Sequence, residues 1–113
     1  MINAVHSILY ARDAEAARAF FADVLGLESV DAGGGWLIFA LPPAELAVHP
    51  AQSASTELYL MTDDLEAALD TLRARGVTVS AEPAEQGWGS VARIDVPGFG
   101  SLGIYQPSHP VPR

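Results

Sequence analysis

Two stretches of the chain carry the same ordering of apolar and polar positions. "HSILYARDAEAARAFF" (6–21) and "ELYLMTDDLEAALDTL" (57–72) each read as an alternating run, an aspartate and then a helical repeat. Aligned, His6 falls on Glu57, Asp13 on Asp64, Glu15 on Glu66, and Ala16 and Ala17 on Ala67 and Ala68. In the alternating runs His6, Ile8 and Tyr10 share one face, as do Glu57, Tyr59 and Met61, while Leu58 and Leu60 point the other way. Asp13 and Asp64 are suited to cap helices, because a carboxylate can accept bonds from the free N–H groups of a first turn. Glu15 and Glu66 add negative charge where the helix dipole favours it. Ala17, Phe20, Phe21, Val24 and Leu25 then form one apolar stripe; Leu65, Ala68, Leu69 and Leu72 form the other. Gly26 and Gly76 supply the stops.

After each helix the pattern predicts three strands. In the first half they fall near 27–31, 36–41 and 44–49, with "GGG" (33–35) as a turn and Pro42-Pro43 as a break. In the second half they fall near 78–82, 90–96 and 102–105, with turns at "EQGWG" (85–89) and "PGFG" (97–100). The expected architecture is α+β: two βαβββ modules, 1–51 and 52–107, in one domain. The tail 108–113, rich in proline, is expected to lie extended on the surface with His109 in solvent.

Composition narrows the class. Of 113 residues, 50% are hydrophobic and 18% charged, which suits a domain with a real core. Fourteen acidic residues face six basic ones, all arginine, for a net charge of −8. That balance argues against nucleic acid and permits a cationic ligand. No apolar run is long enough for a membrane span, and no signal peptide is recognised at the N-terminus. Cysteine is absent, which excludes disulfides, thiol nucleophiles and cysteine metal sites. The expectation is a cytoplasmic protein with a small-molecule partner.

Two consecutive βαβββ modules resemble the vicinal oxygen chelate superfamily, the glyoxalase/bleomycin resistance/dioxygenase group. The residues that carry the resemblance are "HSILYARDAEAARAFFADVLGLE", "ELYLMTDDLEAALDTLRARGV" and "VPGFGSLGIYQP", with "FFADVLGLE" the most specific piece. The resemblance covers nearly the whole chain. It implies curved mixed sheets enclosing a cup, helices outside, and a homodimer in which the cup is built within one chain or across two. It implies no single reaction, since such relatives isomerise, cleave or epimerise substrates, or only bind antibiotics. In metal-using relatives each module gives one ligand from its first strand and one from its last. Those positions here are His6 and Glu57, then Ala47 and Gly103, and neither Ala47 nor Gly103 has a ligating side chain.

The candidate ligand-binding residues are Trp36, Phe39, His49, Tyr59, Met61, Trp88 and Tyr105, an aromatic lining with a few polar groups. Trp88 sits between glycines and is a candidate lid. The favoured reading is a binding protein that needs no cofactor and sequesters an aromatic or cationic metabolite or antibiotic. The alternative is a lyase, isomerase or dioxygenase. It would use Glu57 and His6 as catalytic groups, or hold a divalent metal with His6, Glu57 and His49. A third reading, a cup that is only a core, is opposed by the small residues Ala47 and Gly103.

Overall fold

A computed structural model describes residues 6–112. The first helix, α1 (Ala14–Ala19), starts at Asp13, whose Oδ1 accepts the Ala16 N–H at 3.0 Å. It runs on as a wider π-helical segment (Phe20–Val24) in which the Leu25 N–H reaches the Phe20 carbonyl. Phe20 and Phe21 are both buried there and meet edge to face at 5.5 Å. A short antiparallel hairpin follows, β1 (Ser29–Asp31) and β2 (Leu37–Phe39).

The second half is a complete βαβββ unit: β3 (Tyr59–Met61), α2 (Leu65–Ala74), β4 (Val79–Gln86), β5 (Gly89–Val96) and β6 (Gly100–Pro107). Asp64 caps α2 through the Ala67 N–H at 3.1 Å. The sheet order is β3-β6-β5-β4, with β3 parallel to β6 and the other pairs antiparallel. β4 is an edge strand whose register shifts between Val79 and Ala81 and again between Ala81 and Ala84; the second shift spans Pro83, which has no N–H to give a ladder.

One core joins the halves. Leu65, Leu69 and Leu72 of α2 pack with Ala92, Ile94, Val96, Leu102 and Ile104 of the sheet, and with Ala17, Phe20 and Phe21. Gly98 locks the halves together. Its carbonyl accepts the Asp13 N–H at 3.0 Å, its φ is +78°, and a Cβ there would run into the Asp13 backbone.

The sequence reading is corrected in the first half. Residues 44–49, expected to be a strand, form none, and 6–10 also lack strand pairing. Pro42 and Pro43 remove two ladder donors just upstream, and no neighbouring strand of this chain pairs with either segment. In the second half the strands outrun their expected bounds, because the β4–β5 turn is only the two residues Gly87 and Trp88.

Candidate functional site

The pleat of the four-stranded sheet sorts its side chains. Leu60, Ile104 and Ala92 are neighbours in register, and Ile104 and Ala92 belong to the core. The alternate positions Tyr59, Gly103 and Arg93 lie side by side on the opposite face, and so do Met61, Tyr105 and Val91. That opposite face carries the candidate site.

Gly103 sets its geometry. The Tyr59 ring lies directly over it, and a Cβ there would collide with the ring and crowd Arg93 Nη1. The absent side chain is therefore filled by a neighbouring one. Tyr59 lies beside Glu57 and Arg93, and both groups act on its phenol. Arg93 can only donate and a carboxylate can only accept, so the phenol is suited to accept from Arg93 and to donate its O–H to Glu57. Arg93 is fixed from the other side, Nε donating to the Ser101 hydroxyl and Nη2 to the Ser101 carbonyl at 3.1 Å. A cavity of about 280 Å³ opens here, with Glu57, Tyr59, Arg93 and Ser101 on its polar side and Leu9 and Phe99 on its apolar side.

Glu57 holds the Tyr59 phenol above its usual pKa of 10.0, first by accepting its proton, then with burial and the carboxylate charge; Arg93 opposes this. A raised phenol pKa favours the protonated form in the folded state. Its contribution to stability is full below the unfolded value and is lost as pH rises through the folded one. Ultraviolet titration should find one tyrosine ionising late, missing in Tyr59→Phe, and Glu57→Ala should move that titration back down.

Beside this cluster three rings meet edge to face. Trp88 is 5.0 Å from Tyr105 and 6.0 Å from Tyr59, and Tyr59 is 5.8 Å from Tyr105. Tyr105 is buried, and its hydroxyl donates to Glu45 Oε1 at 3.0 Å and lies 3.3 Å from His109 Nε2. Glu45 Oε2 is buried with no hydrogen-bond partner among the described residues.

The structure thus brings together Glu57, Tyr59, Trp88 and Tyr105, with Met61 half-buried on the same face. It does not bring in the others. His6 and His49 are exposed. Trp36 is 68% exposed beside the β1–β2 hairpin, with the Arg18 guanidinium 5.4 Å over its ring. Phe39 packs on Phe21 at 5.9 Å, against the core. His6, Glu57 and His49 do not converge, and among the described residues no three histidine or acidic side chains are grouped to hold a metal ion.

Three participants escape the sequence pattern. Glu45 lies in a segment without regular structure. His109, expected in solvent, is half-buried against Tyr105, because the Ser108 N–H bonds the Trp88 carbonyl and folds the tail back. Arg93 could have been found by pairing β5 with β6, which sets it opposite Gly103.

Among solved structures the chain is similar to TnmS3, an antibiotic binding protein from Streptomyces sp. CB03234. The two are 27% identical over 96% of this chain and 100% of that one, with a TM-score of 0.64. It is similar to a superfamily member from Sphaerobacter thermophilus at 25% identity over 92% and 97% of the two chains, TM-score 0.62. It shares the fold of a lactoylglutathione lyase from Agrobacterium tumefaciens at 21% identity over 92% and 93%, TM-score 0.65. A search of curated proteins found no match. Among the described residues no helix is long and apolar enough to cross a membrane. The family model described as Glyoxalase/Bleomycin resistance protein/Dioxygenase superfamily matches residues 3–107, and the chain belongs to that superfamily.

Proposed function

We propose that this protein binds a planar aromatic small molecule, an antibiotic or a metabolite, on the open face of its four-stranded sheet, and that it does so without a metal. The observation that carries the reading is the cluster of Tyr59, Trp88 and Tyr105 beside the cavity at Glu57, Tyr59 and Arg93. Aromatic walls with a few fixed polar groups are the common make-up of a small-molecule site. The buried Glu45 oxygen offers an acceptor to a ligand donor. Similarity to an antibiotic binding protein supports the same reading.

The working form is a cytoplasmic homodimer. Leu46 and Val48 are 89% and 86% exposed, Tyr10 is 87% exposed, and all three lie on segments with no sheet partner among the described residues. A second copy would cover them.

The test uses a Trp36→Phe background, which leaves Trp88 as the only tryptophan. Saturable quenching by members of an aromatic and antibiotic panel, unchanged by EDTA, with the ligand recovered intact, is the expected result. Binding that vanishes with EDTA, or no binding at all, contradicts the proposal. The grouping of Glu57, Tyr59 and Arg93 at the cavity favours one second reading, a metal-free enzyme with Glu57 as base. Under it the recovered ligand is chemically changed, and Glu57→Gln stops the change.

A further inference from the structure

The net charge of −8 points to cationic ligands, but the cavity holds one cation, Arg93, alongside the carboxylate of Glu57. We infer that Arg93, held by Ser101 at the cavity, is an anion-binding subsite that takes the carboxylate of an aromatic acid. This rests on the small-molecule reading above and names the ligand class for that site.

The arginines of the described residues are otherwise engaged or placed elsewhere. Arg73 pairs with Glu82 at 2.6 Å and with Asp70 at 3.6 Å. Arg75 donates to the Val24 carbonyl at 2.6 Å, and Arg18 lies over Trp36. Arg93 is the arginine whose guanidinium lines the cavity, and it is half-buried. Two carboxylates are near in the fold, Glu57 at the start of the cavity wall and Asp95 two positions along β5. Among the described residues neither comes within ion-pair distance of Arg93. Glu57 is turned to the Tyr59 phenol instead.

The partners that fix Arg93 are neutral: the Ser101 hydroxyl and the Ser101 backbone carbonyl. These partners orient the guanidinium without cancelling its charge. Guanidinium and carboxylate are matched in shape, and charge-assisted bonds between them are stronger than neutral ones. Nη1 lies close to Gly103, at the edge of the Tyr59 ring that covers that glycine, and the guanidinium lines the cavity there. A ligand ring against Tyr59 would bring a carboxylate substituent to that edge.

The probes are benzoate, benzamide and benzylammonium, which share a ring and differ in charge. Each is titrated into ¹⁵N-labelled protein, and the amides of Ser101 and Gly103 are followed with the Arg93 Nε–H. Benzoate should shift all three signals and bind about tenfold more tightly than benzamide, a margin typical of one well-made charged contact. In Arg93→Gln that preference should disappear, the ratio of benzoate to benzamide affinity falling to about one whatever the variant's affinity for benzamide. Arg93→Lys, which keeps the charge but loses the fork, should retain only part of it. The wild-type preference should also shrink as salt rises.

If benzamide or benzylammonium binds as well as benzoate, the inference is wrong and the small-molecule reading stands. The same holds if the benzoate preference survives in Arg93→Gln. If none of the three shifts any signal on this face, the underlying reading fails and takes the inference with it.

Discussion

Gly103→Val is expected to abolish ligand binding and to lower stability by about 1–3 kcal/mol, the range for forcing extra carbon into a packed site. Gly103 sits on β6 between β3 and β5, and the space above it is taken by the Tyr59 ring. The contact is with ring carbons near the backbone rather than with a flexible tip, so the whole ring has to swing away. Its swing breaks the link between Glu57 and Arg93 and separates Tyr59 from Trp88 and Tyr105. Valine suits a strand, and the φ of Gly103 lies outside the left-handed region, so backbone strain is not the cause. A double-mutant cycle separates the two possibilities. Adding Tyr59→Ala to Gly103→Val should recover stability relative to the sum of the single changes, as expected for groups in contact. Additive losses in urea unfolding would place the damage elsewhere.

Leu69→Ala is expected to cost about 2–5 kcal/mol with no direct effect on the ligand face. Leu69 is fully buried, on the side of α2 that packs on the sheet, with Ile94 equally buried across the same core. Removing its three outer carbons forfeits their burial and leaves a hole that backbone-tied neighbours fill poorly. Chemical unfolding should show a lower midpoint with the slope unchanged, which marks a change of stability rather than of the unfolded state. At temperatures where the variant is folded, its affinity for ligand should match wild type, because the core and the Tyr59 face lie on opposite sides of the sheet. A midpoint within error of wild type would mean that α2 does not pack as described.

The parts of this fold legible in the chain are those whose signals are local. Asp13 and Asp64 cap their helices as the repeat predicts, because a cap is a matter of three neighbouring residues. The alternation through Leu58, Tyr59, Leu60 and Met61 assigns the faces of β3 correctly, since a pleat has a fixed period. The same alternation in "ELAVHP" misleads. A strand exists only when another strand pairs with it, and 44–49 has no partner among the described residues. Gly103 was visible as an anomaly, but the ring that occupies its space comes from a residue more than forty positions away. Glu45 and His109 reach Tyr105 from segments without periodicity, so no pattern could have joined them.

The central claim is that ligand is held by the rings on the open face of the sheet. It is tested most directly by the affinity of Tyr59→Ala/Trp88→Ala for the aromatic compound that binds wild type most tightly. Circular dichroism and unfolding confirm that the double variant is folded. Two lost ring contacts and their buried area predict an affinity at least about a hundredfold weaker. An affinity unchanged in the folded double variant would contradict the account and move the site away from this face.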